Sequence, residues 1–222
     1  MNLLAIDSGG AILAAALSRG EKLFDIETDI GTKHSAIIID CIDSLFKKAD
    51  IKPRELNGVL CAGGPGSFTG LRAGFAAAKG LSLSLSIPFI SIFTFDCLAF
   101  PYQDSASMIL AVIESSKKAW FFSFYQNNKI IKPALEGESA LIAAEIDKTR
   151  AKNIILTGPG AASLYETMPE EIKKKLSLDR GKNGRAKELI SIAKKDRLFD
   201  NINTISVFSC PEYIKRASVE SI

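Results

Sequence analysis

Val59-Leu60-Cys61-Ala62-Gly63-Gly64-Pro65-Gly66-Ser67-Phe68-Thr69-Gly70-Leu71-Arg72 reads as a buried strand, a glycine turn and the opening of a helix. Three readings compete for it: a phosphate cradle, a turn that places a helix in an interface, or simply a tight turn. Backbone N–H groups at a helix N-terminus do attract anions. The specific phosphate signatures are missing, however. A P-loop needs a Lys-Ser/Thr pair after its last glycine, and Leu71-Arg72 follows Gly70 here. Gly64-x-Gly66 begins a dinucleotide fingerprint, but Thr69 stands where the third glycine belongs. Pro65 also removes one donor. An anion site built on Asp7, Gly66, Ser67 and Thr69 would therefore be vestigial.

The helix that follows is expected over Thr69–Leu85. Gly70, Ala73, Gly74, Ala77, Ala78 and Gly80 put very small residues at adjacent helical positions. Each interior glycine costs roughly up to 1 kcal/mol relative to alanine. Close approach of another backbone is the simplest compensation, from the protein's own sheet or from a partner subunit.

Upstream, Leu3–Ile6, Ile12–Leu17 and Lys22–Thr28 read as a strand meander joined by tight turns. Asp7 ends the first strand beside Ser8-Gly9-Gly10. A carboxylate there either holds a metal–phosphate or bonds to turn N–H groups. Thr32 is placed to cap a helix over Lys33–Lys48. Its apolar face is Ile37, Ile38, Cys41, Ile42, Leu45 and Phe46. His34, the one histidine of the chain, cannot form a paired-imidazole metal site, and no Gly-x-Ser-x-Gly elbow accompanies it. No catalytic residue, metal site or cofactor is expected.

The 222 residues allow one large domain or two of about 100 residues. A net charge of +3 with interspersed signs argues against a dedicated nucleic-acid binder. Cys41, Cys61, Cys97 and Cys210 lie far apart without a C-x-x-C pair, which suits reduced thiols in the cytoplasm. The amino terminus lacks signal-peptide character, and the apolar runs are too short to span a membrane.

Pro101–Ser105 reads as a linker, dividing the chain into domains 1–103 and 104–222. The second half repeats the first in outline. Met108–Ile113, Ala119–Tyr125 and Lys129–Lys132 are strands, Glu138–Arg150 a helix, and Asn153–Thr157 a strand ending in Gly158-Pro159-Gly160. Helical segments are expected at Glu170–Leu176 and Ala186–Lys195. The two Gly-Pro-Gly turns fall at matching places.

Two such halves resemble the actin-like ATPase (RNase H-like) superfamily, an α/β class with mixed sheets flanked by helices. Leu4-Ala5-Ile6-Asp7, Lys33-His34-Ser35 and the string Gly64–Arg72 resemble the TsaB (YeaZ) family within it. Pro211-Glu212-Tyr213-Ile214-Lys215-Arg216 is similar to that family's closing motif, with Lys215 at an arginine position.

The resemblance implies a non-catalytic partner of the enzyme TsaD in making threonylcarbamoyladenosine in tRNA, working with the ATPase TsaE. It implies contact with TsaD, or with a second copy when alone, through the two helices of the first domain. The residues implicated are His34, Ile38, Cys41, Ile42, Leu45, Gly70, Ala73, Gly74, Ala77 and Ala78. Contact with tRNA would be indirect. TsaD carries paired histidines on the first helix, whereas Ile38 stands at the second position here. Glu114-Ser115-Ser116 and Ala119-Trp120-Phe121 depart from the family's usual charged residues. The alternative is a small actin-like ATP-dependent phosphotransferase using Asp7 and both glycine turns.

Overall fold

A computed structural model describes residues 1–29, 34–181, 184–200, 211 and 214, with only the backbone of 34–36. The chain forms two compact units. Met1–Cys97 makes the first together with the later segment that carries the last described helix, and Leu98–Lys182 makes the core of the second.

The first unit holds β1 (Asn2–Asp7), β2 (Ile12–Arg19), β3 (Lys22–Asp29), α1 (His34–Ala49), β4 (Gly58–Ala62), α2 (Phe68–Leu85), β5 (Phe89–Ile92) and the start of α3 (Thr94–Ala99). The sheet order is β3-β2-β1-β4-β5. The meander is antiparallel, with Ala5 opposite Ala16, and β1, β4 and β5 run parallel. Successive side chains alternate between faces. Leu4, Ile6, Leu13, Leu17, Val59 and Cys61 pack with Ile38, Ile42, Leu45 and Phe46 of α1 and Phe75 of α2. Leu3, Ala5, Ala14, Ala16 and Leu60 are buried on the opposite side. That double burial explains the uninterrupted apolar runs of β1 and β4.

The second unit holds β6 (Met108–Ser116), β7 (Ala119–Gln126), β8 (Lys129–Glu138), α4 (Ser139–Lys148), β9 (Ile154–Thr157), α5 (Ala161–Thr167), α6 (Glu170–Lys173) and β10 (Leu176–Leu178). Its order, β10-β9-β6-β7-β8, is the topology of the first sheet repeated. Each unit is thus a three-stranded antiparallel meander extended by two parallel strands, with helices between them. Phe122 and Phe124 meet edge-to-face in a core with Ile142, Ile146, Leu156 and Leu164.

The last described helix, α7 (Ala186–Lys195), packs on β1, β2 and β4 of the first unit. Its helical pattern is legible in sequence, but the sheet it joins is not. The segment around Leu176 departs from expectation too. The helix stops at Lys173, and Leu176 pairs with Ile154 because β9 offers an open edge. The strand expected to end at Lys132 continues to Glu138 along β7. Thr32 and Lys33, the expected cap and start of α1, lie outside the described residues.

Leu45 is wholly buried between α1 and the sheet. Leu45→Ala should lower stability by about 2–5 kcal/mol in urea titration, the range for a leucine cavity in a close-packed core.

Candidate functional site

The glycine string lies between β4 and α2, as expected, and is packed from inside. Gly64 has φ +105, a left-handed conformation suited to glycine. Its N–H donates to Thr94 Oγ1 at 3.0 Å, and its carbonyl accepts from Thr94 N at 2.7 Å. The Gly64–Pro65 peptide is cis. Ser67 is the N-cap of α2, with its Oγ accepting from Gly70 N at 3.3 Å.

The β1–β2 turn sits on this loop. Ser67 N donates to Gly9 O at 2.7 Å, so that N–H is already spent. A Cβ on Gly66 would lie 2.7 Å from Gly9 O, and one on Gly70 would lie 2.0 Å from Ser8 O. One on Gly74 would lie 2.3 Å from Ser8 Oγ and 3.3 Å from Cys61 Sγ. Ser8 Oγ also donates to Gly70 O at 2.8 Å. Gly70 therefore answers to the backbone, and Gly74 to the side chains, of the same unit. Gly80 meets nothing within 4 Å.

Asp7 is 6% exposed. Its Oδ1 accepts from Gly9 N at 3.1 Å, the turn role, and its Oδ2 accepts from Arg185 N at 2.9 Å. Asp7, Gly66 and Ser67 do come together, but as one internal hydrogen-bonded joint. Thr69 is exposed on the helix beyond it. Arg185 is the residue that sequence reasoning missed, because no local signal couples positions 178 residues apart.

The second glycine turn is filled in the same way. Gly158 has φ +109, and a Cβ there would meet Val112 O at 2.2 Å. A Cβ on Gly160 would lie 2.8 Å from both Glu114 N and Trp120 Cδ1. Trp120 Nε1 donates to Ser163 Oγ at 3.0 Å, and Ser163 Oγ contacts Glu114 Oε2 at 3.2 Å. Among the described residues no group of three His, Cys, Asp or Glu side chains could hold a metal ion.

Most residues expected at a partner face are buried within the unit. Ile38, Cys41, Ile42 and Leu45 are 4, 9, 4 and 0% exposed and belong to the core beneath α1. Gly70, Gly74 and Ala78 are turned inward, and Ala73 and Ala77 are half-buried. The reason is amphipathicity: a helix lying on a sheet gives its apolar stripe to that sheet first. The His34 side chain lies outside the described residues. What α1 and α2 turn outward is different. Ile39 is 60% exposed, Phe68 52% and Leu83 54%. Arg72 lies 3.6 Å from the Phe68 ring centroid, a cation–π stack on the surface.

A family model for TsaD, the tRNA N6-adenosine threonylcarbamoyltransferase, matches residues 28–113. The TsaB protein of Bacillus subtilis is 25% identical over all of this chain and 97% of its own length. That of Escherichia coli is 25% identical over 58% of this chain and 57% of its own. The YeaZ structure from Pseudomonas aeruginosa superposes with a TM-score of 0.76, covering 96% of this chain and 99% of that one. At 18% identity it bears on the fold alone. Over its whole length the chain is similar to proteins of the TsaB (YeaZ) family. Its TsaD-like stretch contains both α1 and α2.

No described helix is long and apolar enough to cross a membrane. The thiols in the core are chemically quiet. Burial pushes those of Cys61 and Cys97 up, and the nearby Asp7 carboxylate adds to both shifts. Raised thiols stay protonated at pH 8. In peptide-resolved labelling with iodoacetamide at that pH, Cys61 and Cys97 should react only after urea is added. Gly74→Leu should lower the melting temperature even without a partner, because Ser8 and Cys61 occupy the space it needs.

Proposed function

We propose that this chain serves the synthesis of threonylcarbamoyladenosine in tRNA as a non-catalytic partner of TsaD. The observation that carries the reading lies on α1 and α2. Both fall in the TsaD-like stretch at residues 28–113, and both turn apolar side chains to solvent. Ile39, Phe68 with its stacked Arg72, and Leu83 would be the anchors. Aromatic and arginine anchors commonly dominate binding energy at interfaces. The buried residues Ile38, Cys41, Ile42, Leu45, Gly70, Gly74 and Ala78 would act from below, by fixing the two helices on the sheet.

TsaD is the partner in this reading, and a second copy takes its place when the chain is alone. TsaE would join through the complex, and tRNA would be met through TsaD. Catalytic inactivity is supported by the two filled glycine turns: Gly9 takes the Ser67 N–H, and Trp120 lies against Gly160. A cytoplasmic location follows from the substrate, tRNA.

Co-purification of the full chain with TsaD tests the reading, and failure to associate with or without nucleotide would sink it. Ile39→Glu and Leu83→Arg should each weaken association at least tenfold, about 1.4 kcal/mol. Their melting temperatures should stay within about 2 °C of the parent, as expected for exposed positions. Measurable ATP hydrolysis by the isolated chain would favour the phosphotransferase alternative instead.

A further inference from the structure

The Asp7 carboxylate does a task that neither the family resemblance nor the partner reading assigns. Arg185 is the N-cap of α7, and its side chain makes no capping bond. The cap position is instead served from β1, where Asp7 Oδ2 accepts the Arg185 N–H at 2.9 Å inside the unit. A carboxylate at a helix N-terminus satisfies an orphan donor and complements the helix dipole. We propose that Asp7 is a positioning residue, a helix cap supplied from another strand, which latches α7 onto the first unit's sheet.

Two further polar ties of α7 are only partly buried. Lys187 to Asp25 spans 3.4 Å with both side chains 39% exposed. Lys194 reaches Gly20 O at 2.7 Å and Glu21 at 3.6 Å, with the Glu21 side chain 98% exposed. Exposed ion pairs hold little. The apolar side of α7 buries Ala186, Leu189, Ile190, Ile192 and Ala193. A Cβ on the preceding Gly184 would lie 2.2 Å from Ala14 Cβ, so this joint has no slack.

Near the latch, Arg185 Nε and Glu188 Oε2 are already buried without hydrogen-bond partners. Loss of Asp7 adds the Arg185 N–H to them, and a buried unpaired donor is costly. The helix end then frees itself by lifting, while α1 and α2 on the opposite face keep their own contacts.

Hydrogen exchange of the full chain, read by mass spectrometry, tests this. Asp7→Ala should speed exchange in peptides covering residues 186–195 at least tenfold and leave those of α1 within twofold, with a smaller effect at the α2 N-terminus because Asp7 Oδ1 also holds the Gly9 N–H. Asp7→Asn keeps one acceptor oxygen and should fall between Asp7→Ala and the parent. Unchanged exchange in α7 overturns the latch, as does equal acceleration in α1 and α2. An Asp7→Asn variant as fast as Asp7→Ala overturns the acceptor role. Mg-ATP slowing exchange at residues 2–10 of the parent would overturn it in favour of a metal–phosphate role.

Discussion

The first unit depends on one close approach: the β1–β2 turn seated on the backbone of the glycine loop and α2. Ser8 O, Ser8 Oγ and Gly9 O lie where the side chains of Gly70, Gly74 and Gly66 would begin. Any larger residue at these points would push α2 away from β1 and β4, whose side chains form the core with Phe75. The penalty for glycine inside a helix is offset here by contact, since dispersion gains require atoms at touching distance. The same approach consumes the Ser67 N–H, one of the donors that a loop receiving an anion would use.

Function follows from where that packing leaves free surface. In the first unit the loop is filled by Ser8 and Gly9, and in the second by Trp120 and Glu114. Two turns that share a topology are thus closed by different residues. The exposed residues of α1 and α2 face solvent, and their apolar undersides are committed to the sheet. This division of labour suits the partner role proposed above.

Much was legible in the sequence. Apolar runs joined by tight turns gave the meanders, and helical spacing gave α1, α2 and α7, the last with the bounds observed. The glycine string placed the turn and the helix after it, and the absent lysine and third glycine excluded specific phosphate loops. Which face of α1 and α2 is exposed was not legible, only the two helices themselves. The same apolar periodicity that identifies α1 also describes a helix buried on its own sheet, and periodicity does not say which surface covers it. Ile38 and Ile42 therefore read as interface and are core, while Ile39 breaks the pattern and faces solvent.

By itself the chain determined its local elements, its two similar halves and its lack of paired metal ligands, because these depend on residues near one another in sequence. Only the tertiary structure decided that α7 returns to the first sheet, that Asp7 meets Arg185, and that the small residues of α2 face inward. Those outcomes depend on which surfaces meet after the chain has folded back. Long-range contacts carry no local periodicity, and an internal backbone and a partner's backbone demand the same glycine.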